Sequence, residues 1–444
     1  MNHVFDRIGG RRIVDISFSA KQIAPSATLA INERINTIRG RGEQVYHMGF
    51  GESPFPVHSL IRKALCDNSW RQSYLPTQGI FQLRAQISKF YKTMFDLQYS
   101  PEQIMVGPGS KSLMFAALAA LDGPIFLPAP SWVSYQHMGR FTSRDVHHMI
   151  TDSKNSYRLE PELLVNALQQ NAPDPNQQKI LVLNYPSNPT GHSYSAQQLR
   201  KLADVARENK VIILSDEIYA LTHFQDQEHT SIAEIYPEGT LVTGGLSKDR
   251  SMGGYRLGAL LIPEGENQLM RTLLAIGSEI WSCVSAPLQY AAIEAYRTDT
   301  GIIEYVRDCA TIHEVVTSYV YQRIQAMGLS CPSPQGAFYL FPDWNQHKDA
   351  LRTKSVTTSN ELAQYLLEEY HVSSLPGSEF GMPAEDLCLR LATVDYKGEL
   401  ALDTFLKDRD SLVENPEQFV VSIAPSVVEG CNQLEVFMFQ LGGD

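Results

Sequence analysis

The sequence predicts an α/β fold: a three-layer α/β/α large domain around a mostly parallel sheet, plus a smaller α+β domain. Short, continuously apolar runs such as 211–214 alternate with helical patterns between residues 103 and 262. Runs of this kind are typical of parallel strands that are buried on both faces. The pattern changes after about residue 300, and a chain of 444 residues is long enough for two domains.

The predicted elements alternate along the first part of the chain and become mixed in the second. Helices are expected over about 26–40, 58–68, 81–94, 111–121, 195–209, 302–327 and 359–370, with a last helix around 427–441. Strands are expected over about 45–48, 103–106, 124–127, 179–183, 211–214, 241–243, 259–262, 336–341, 372–375 and 388–392.

The domain boundaries follow from this change of pattern. We assign residues 1–60 to an N-terminal arm and part of the small domain, 61–300 to the large domain and 301–444 to the C-terminal small domain. The first 25 residues are expected to lie as an arm on another surface. Residues 397–425 are expected to form a surface insertion before the last helix.

Composition narrows the class of protein. A net charge of -12 argues against a nucleic-acid-binding surface, because phosphate backbones require a basic face. No apolar run approaches the roughly 20 residues that a membrane span needs, and the start of the sequence lacks a signal-peptide pattern, so the cytoplasm is expected. The six scattered cysteines indicate reduced thiols, and neither cysteines nor histidines have metal-ligand spacing.

The stretch 244–258 is a glycine-rich loop that carries Lys248 and Arg256 between two apolar strands. A buried charged amine is unfavourable unless it is paired or loses its charge. A lysine that covalently holds a carbonyl cofactor would resolve that cost, and an arginine eight residues later supplies a planar fork suited to a phosphate. A solvated, inert lysine is the alternative.

Further polar residues follow other predicted strands. Ligands of parallel sheets bind beyond the carboxyl ends of the strands, which places the motif 109–111, Trp132, Asn188, Asp216 and Lys248 on one rim. The carboxylate of Asp216 ends an apolar strand, so it either caps a helix or pairs with a protonated ring nitrogen.

The remaining candidates each allow two interpretations. Gly109 and Ser110 open a helix, whose N–H groups and dipole favour an anion, and Lys111 either binds an anion or is solvated. Trp132 could stack on a planar ring or belong to the core. Arg390 lies within an apolar strand, where it forms a salt bridge or clamps a substrate carboxylate.

Two other side chains belong to the same set. Asn188 precedes Pro189, which favours an extended backbone and fixes the direction of the amide, although a plain turn is the alternative. Tyr219 follows Asp216 by three residues, so its phenol could reach the same ligand or only pack against neighbours.

Taken together, the motifs resemble the class I aminotransferases of fold type I, which depend on pyridoxal 5'-phosphate, with the aspartate aminotransferase branch nearest. The resemblance covers nearly the whole chain, and the order of its motifs is specific. The matching motifs are Tyr74, 130–135, Asn188-Pro189-Thr190-Gly191, Ser215-Asp216-Glu217-Ile218-Tyr219, Ser247-Lys248, Arg256, Gly336-Ala337-Phe338-Tyr339, Pro376-Gly377-Ser378 and Arg390-Leu391.

The resemblance implies a role for each matching residue. Lys248 would hold the cofactor covalently and move a proton, Asp216 would pair the ring nitrogen, and Asn188 and Tyr219 would hold the ring oxygen. Tyr74 would reach in from a second subunit, which implies a homodimer. Phosphate binding is assigned to Gly109, Ser110, Lys111, Ser247 and Arg256, a cover over the ring to Trp132, and substrate binding to Arg390, Gly51, Lys111, Asn188 and Trp132.

The implied activity is transfer of an amino group between an L-amino acid, acidic or aromatic, and a 2-oxo acid such as 2-oxoglutarate. Lys111 resembles a lysine that reaches a substrate side-chain carboxylate in one subgroup, whereas Gly245 stands where some relatives carry a hydroxyl. A lyase, decarboxylase or oxidase on the same scaffold is the main alternative, because the cofactor stabilises the same kind of carbanion in all of them. A non-enzymatic regulatory domain is less consistent with the intact set of cofactor residues.

Overall fold

A computed structural model describes residues 27–224 and 229–442 of the chain. The arm expected over the first 25 residues lies outside the described residues. In the first part of the chain, the structure contains helices and strands in the following order: α1 Ala27–Arg39, β1 Tyr46–His47, α2 Ser59–Asp67, α3 Phe81–Phe95, β2 Ile104–Gly107, α4 Ser110–Ala120, β3 Ile125–Ala129, α5 Ser134–Phe141, β4 Val146–Ile150, α6 Pro161–Asn171, β5 Lys179–Asn184, α7 Ala196–Glu208, β6 Val211–Asp216, α8 Ile232–Ile235, β7 Thr240–Gly245, β8 Gly258–Leu261, α9 Asn267–Ile280 and α10 Ala286–Ala295.

The second part begins with a long helix. Its elements are α11 Ile302–Ala326, β9 Tyr339–Leu340, α12 Lys348–Thr353, α13 Ser359–Tyr370, β10 Val372–Ser373, β11 Leu375–Pro376, β12 Leu389–Ala392, α14 Gly398–Lys407, α15 Arg409–Glu414, α16 Pro416–Ile423 and α17 Pro425–Gly442. Short 3₁₀ helices lie at Pro101–Gln103, Ser153–Asn155, Ala220–Thr222, Pro237–Gly239, Gly253–Tyr255, Asn345–His347 and Gly377–Phe380.

Seven strands form the central sheet, in the order β2-β8-β7-β6-β5-β3-β4. The pairs β3–β4, β3–β5, β5–β6 and β6–β7 are parallel, whereas β8 runs antiparallel to β2 and β7. The predicted mostly parallel sheet is therefore confirmed, and it brings the carboxyl ends of its parallel strands to one edge.

Burial on both faces explains the continuous apolar runs. Along β5, Ile180 and Val182 pack into a cluster that includes residues of α4. The intervening Leu181 and Leu183 pack into a different cluster with residues of α7. Because successive side chains of a strand point to opposite faces, both faces are covered by helices and the predicted three layers are confirmed.

Two small sheets belong to the second part of the chain. Strands β11, β12 and β9 form an antiparallel sheet, and β1 pairs in parallel with β10 through Tyr46 and Val372. The early segment thus joins the C-terminal elements, as expected, while the exact boundaries of the domains stay a prediction. The strand expected over 336–341 is shorter than predicted, because only Tyr339–Leu340 pairs as a strand.

The segment 397–425 is not a surface insertion as expected, because part of it is buried in the core. The segment folds into three helices, α14 to α16, whose inner faces are buried. Phe405, Phe419, Val420 and Ile423 belong to the same hydrophobic cluster as residues of α11 and α17. Apolar residues at helical spacing therefore make this segment part of the core. Within the residues that the structure describes, no helix has the length and hydrophobicity needed to cross a membrane.

Candidate active site

A cavity of about 360 Å³ lies at the carboxyl edge of the central sheet. The predicted site residues line it, apart from Gly109 and Tyr74. Lys248 and Asp216 both belong to its wall, as expected if the two residues are to reach one ligand. The cavity therefore lies where ligands of parallel sheets are bound.

Asp216 ends strand β6 and is buried, with 3% of its surface exposed. Its Oδ2 accepts a hydrogen bond from the Tyr135 hydroxyl at 2.8 Å. Its Oδ1 accepts from the backbone N–H of Ile218 and from Oγ1 of Thr243, each at 3.3 Å. Among the described residues no lysine, arginine or histidine pairs with Asp216, so the carboxylate is held in place but keeps no positive partner.

Burial dominates the electrostatics of Asp216. Loss of hydration raises the pKa of its carboxyl from 3.8 to about 6, while the hydrogen bonds from Tyr135, Ile218 and Thr243 act in the opposite direction. A cation placed beside this carboxylate would offset the cost of its burial.

Arg390 lies on β12 with 2% of its surface exposed. Its Nη1 donates to Oδ1 of Asn188 at 3.2 Å and its Nη2 donates to the carbonyl of Gly49 at 2.6 Å, while Nε has no partner. The guanidinium lies 4.8 Å from the ring centre of Tyr339. No carboxylate of the described chain pairs with Arg390, so the structural salt bridge is not formed and the guanidinium can accept a bound carboxylate.

The amine of Lys248 projects into the cavity. Its Nζ donates to the carbonyl of Gly51 at 2.7 Å and lies 5.9 Å from the ring centre of Tyr219. The hydroxyls of Tyr219 and Tyr339 are 2.9 Å apart, and the Tyr339 hydroxyl also lies 3.4 Å from the Gly51 carbonyl. A Cβ at Gly51 would collide with Tyr339, which explains glycine there.

An anion-binding cradle forms at the start of α4. The helix begins at Ser110, and Gly109 has φ +84°, a conformation that glycine adopts without strain. The guanidinium of Arg256 lies against Gly109, where a Cβ would collide with Nη2. Gly258 is equally close to the backbone N–H of Ser110. The N–H groups of α4, the hydroxyl of Ser110 and Arg256 therefore converge, and Ser247 lines the same cavity.

Lys111 adds another positive charge to the cavity. Its Nζ lies 4.7 Å from the ring centre of Trp132, and no carboxylate of the described chain pairs with it. Burial, Arg256 and Lys248 each lower the pKa of Lys111. An amine that lines a cavity beside two other cations favours an anionic ligand.

A lysine, a buried carboxylate and an anion cradle at the carboxyl edge of a largely parallel sheet define an enzyme of the pyridoxal phosphate type. The chain belongs to the aminotransferase class I and II family, whose model matches residues 44–397.

Relatives and solved structures agree with this family. The chain is 31% identical over 379 residues to the aspartate aminotransferase of Bacillus subtilis, which covers 84% of this chain and 93% of that protein. It is 31% identical over 373 residues to a probable aspartate/prephenate aminotransferase of Rhizobium leguminosarum, covering 81% and 90%. The structure of Thermus thermophilus aspartate aminotransferase with maleate has a TM-score of 0.78 and 26% identity, covering 89% of this chain and all of that chain.

The chain is thus a pyridoxal phosphate-dependent aminotransferase, and its cavity suits that cofactor. The unpaired, buried Asp216 suits a protonated ring nitrogen, and the cradle of Ser110 and Arg256 suits a phosphate. The Lys248 amine in the same cavity suits a carbonyl carbon.

The structure also shows residues that the sequence left without a role. Tyr135 occurs within a recognised motif, but only the fold shows its bond to Asp216. Tyr339 and Glu52 likewise line the cavity. Tyr74 lies away from this cavity and is 90% exposed.

Proposed function

We propose that this aminotransferase uses an acidic L-amino acid as donor and a 2-oxo acid such as 2-oxoglutarate as acceptor. The observation that carries the proposal is Lys111, a cation that lines the cavity and has no carboxylate partner among the described residues. Arg390, which is distant from Lys111 in the sequence, is a second cation without a carboxylate partner among the described residues, and it lines the same cavity. Two such cations match the two carboxylates of an acidic amino acid. Similar proteins named aspartate aminotransferases support the same substrate class.

Each cation would take one substrate carboxylate. Arg390 would bind the α-carboxylate, because Asn188 and Gly49 fix two of its N–H groups and leave Nε free. Lys111 would bind the side-chain carboxylate, because its point charge needs no fixed geometry. Aromatic substrates lack that second carboxylate, so Lys111 favours the acidic of the two predicted classes.

Pyridoxal phosphate, when bound, supplies an electron sink for the carbanion that forms at the substrate Cα. Asp216 would hold a proton on the ring nitrogen, and Asn188 and Tyr219 would hold the ring oxygen. Ser110, Ser247 and Arg256, with the N–H groups at Gly109, would bind the phosphate, and Trp132 would cover the ring.

Lys248 would be the general base and acid at Cα. Its Nζ already lies inside the cavity, held at 2.7 Å by the carbonyl of Gly51. An amine that moves a proton from Cα to a second atom must stay within hydrogen-bond reach of both of these atoms. The hydrogen bond to the Gly51 carbonyl restricts the motion of the Lys248 side chain in this way. Gly51, whose carbonyl also lies near the Tyr339 hydroxyl, would thus shape the substrate side of the site.

Transfer of isotope tests the reaction. With ¹⁵N-aspartate and 2-oxoglutarate, the enzyme is expected to form ¹⁵N-glutamate and oxaloacetate in equal amounts. A lyase, decarboxylase or oxidase would release ammonia, carbon dioxide or peroxide instead. Lys248→Ala is expected to abolish transfer, and unchanged turnover would refute the assignment of this lysine.

Lys111→Met tests the substrate class. It is expected to reduce kcat/KM for aspartate about 10- to 100-fold, as for loss of a charged hydrogen bond, and to leave kcat/KM for alanine nearly unchanged. Lys201→Met removes an exposed lysine of α7 and is the control for net charge. Equal losses for aspartate and alanine would contradict a role for Lys111 in binding the side-chain carboxylate.

We further propose that the enzyme acts as a homodimer in which Tyr74 completes the site of the other copy. Support comes from large apolar side chains that are exposed: Tyr74 and Trp70 are 90% and 71% exposed, and Phe81 is more than half exposed. Mixing Tyr74→Ala with Lys248→Ala subunits is expected to restore activity, since one shared site would then carry both intact residues. Absence of restored activity in mixed dimers would refute the sharing.

The cytoplasm is the proposed location. All six cysteines are unpaired, and four of them are buried. Free thiols are common in reducing compartments, which supports this proposal. Microscopy of the tagged chain, with fractionation as the control, tests it.

A further inference from the structure

A second buried carboxylate lies directly behind the first. Glu217 follows Asp216 in the chain, is 4% exposed and does not line the cavity. Its Oε1 accepts hydrogen bonds from Oγ of Ser215 at 2.9 Å and Oγ of Ser231 at 2.7 Å, and lies 3.4 Å from the Tyr185 hydroxyl. Its Oε2 lies 3.0 Å from Nε2 of His229. Glu217 and the four residues around it have no role in the mechanism proposed above; these four residues are Ser215, Ser231, Tyr185 and His229.

The hydrogen bonds place donors around the Glu217 carboxylate. The Tyr185 hydroxyl accepts the backbone N–H of Ile232 at 2.7 Å, and Oγ of Ser231 accepts the N–H of Ala233 at 3.2 Å. With a lone pair of each hydroxyl occupied in this way, both hydroxyl protons are free to point to Glu217. A carboxyl group surrounded by donors is stabilised as the carboxylate.

The groups that face Glu217 leave its charge only partly balanced. Tyr91, Tyr99 and Tyr185 surround it, and burial raises the pKa of each phenol, so all three are neutral. Among the described residues, the one lysine, arginine or histidine side chain within 4 Å of the Glu217 carboxylate is His229, whereas Arg250, which is paired with Asp249, lies near Tyr91. Nδ1 of His229 is buried without a partner, and the His229 ring stacks on Tyr185.

Two short links join Glu217 to Asp216. The backbone N–H of Glu217 donates to the carbonyl of Thr243 at 2.9 Å, and Oγ1 of the same Thr243 donates to Oδ1 of Asp216. Ser215, on the other side of Asp216, donates its hydroxyl to Glu217. Both carboxylates are thus fixed to the end of one strand, in a region where water does not screen their interaction.

Asp216 in turn faces neutral or positive groups on its cavity side. Tyr135 donates to it, and burial raises the pKa of Tyr219 as well, so neither phenol adds negative charge. Lys248 lines the same cavity. Burial is the main reason for the raised pKa of Asp216, and the charge of Glu217 acts in the same direction.

We propose that Glu217 is a positioning residue that holds a second, fixed negative charge behind Asp216 and thereby favours a protonated, cationic ring nitrogen in the cavity. The inference rests on the proposed role of Asp216 toward the cofactor. Glu217 acts through Asp216 and touches neither cofactor nor substrate. Its hydroxyl donors and the contact with His229 offset the cost of burying a carboxylate there.

The apoprotein tests this proposal without any turnover. The Asp216 carboxyl is titrated by infrared difference spectroscopy, with Asp216→Asn as the reference that identifies its band. Glu217→Gln keeps the shape and removes the charge, so the midpoint of Asp216 is expected to fall, by on the order of one pH unit, as expected when a like charge in a poorly hydrated region is removed. The affinity for pyridoxal phosphate at pH 8 is expected to fall in parallel.

Ser231→Ala is the matched control, because it removes one hydrogen-bond donor and keeps the carboxyl group of Glu217. In this variant the midpoint of Asp216 is expected not to fall. A Glu217→Gln midpoint equal to that of the unmodified protein, or an equal fall in Ser231→Ala, overturns the proposal. If Glu217→Gln does not fold, the variant Glu217→Met with Ser231→Ala and Tyr185→Phe removes the charge together with two of its donors, and a midpoint of Asp216 that does not fall in it overturns the proposal.

These results are separable from the proposed function. Equal losses for aspartate and alanine in Lys111→Met would contradict the proposed substrate class and leave the apoprotein titration unaffected. A missing shift in Glu217→Gln would refute the role of Glu217 and leave the aminotransferase intact.

Discussion

Replacing Tyr135 by phenylalanine removes one hydroxyl and leaves the ring in place. The Tyr135 hydroxyl donates to Oδ2 of Asp216 at 2.8 Å and is buried with it. This hydrogen bond stabilises the carboxylate and so lowers the pKa of Asp216, against the larger upward effect of burial. In Tyr135→Phe the pKa of Asp216 must therefore rise above its value of about 6.

The size of the rise follows from the hydrogen bond. A hydrogen bond to a charged group contributes about 1.5 to 3 kcal/mol, which corresponds to about one to two pH units. At pH 7 the unmodified carboxyl is mostly ionised, whereas the variant would be about half protonated or more. A protonated Asp216 cannot pair with a cationic ring nitrogen, so cofactor binding weakens near neutral pH.

The assay is the affinity of the apoprotein for pyridoxal phosphate, followed by tryptophan fluorescence between pH 6 and pH 9. Tyr135→Phe is expected to bind weakly at pH 6 to 7 and to approach the unmodified protein at pH 9, where Asp216 ionises again. The control is Tyr296→Phe, because the buried Tyr296 hydroxyl has no hydrogen-bond partner among the described residues. A loss of affinity in Tyr135→Phe that is equal at every pH would refute this reasoning.

Three other predictions concern substrate binding, pH and packing. Arg390→Lys keeps the charge but loses the planar guanidinium that Asn188 holds in place. In steady-state kinetics, kcat/KM for aspartate is expected to fall at least about 100-fold. A fall of less than about threefold would contradict binding of the α-carboxylate by Arg390. Burial raises the pKa of Asp216 from 3.8 to about 6, so between these two pH values the folded apoprotein holds a proton that the unfolded chain has lost. The resulting contribution to stability is fully present below about pH 4 and is lost as the pH rises through about 6. Urea unfolding of the apoprotein, compared with Asp216→Asn, is expected to show that loss as about 3 kcal/mol, and parallel pH curves would disprove it. Phe419→Ala is expected to lower the free energy of unfolding by about 3 to 5 kcal/mol, because Phe419 is buried. Val421 of the same helix is 49% exposed, and Val421→Ala is expected to change the free energy of unfolding by less than about 0.5 kcal/mol. Equal effects of the two substitutions would show that α16 is not part of the core.

Local pattern was sufficient for most of the helices and central strands. The strand β5 was expected because four consecutive apolar residues follow Lys179, and it forms as Lys179–Asn184. The segment over 397–425 was misjudged, because its helices bury Phe405 and Phe419 against elements that are distant in sequence. Nothing in the spacing of a short helix shows which neighbour will cover its apolar face.

The sequence by itself determined which chemical groups meet at the cofactor site. Lys248, Asp216 and the start of α4 each follow a strand of one sheet, and parallel strands bring their carboxyl ends to the same edge. Residue type and order therefore predicted the lysine, the carboxylate and the anion cradle.

Only the tertiary structure decided how these groups are held. The partner of Asp216 is Tyr135, 81 residues away, and Arg390 is fixed by Asn188, 202 residues away. Hydrogen bonds of this kind depend on distance and direction between side chains that lie on separate elements, and these are set when the layers pack. The same packing placed Glu217 behind Asp216, on the side of the strand that faces away from the cavity.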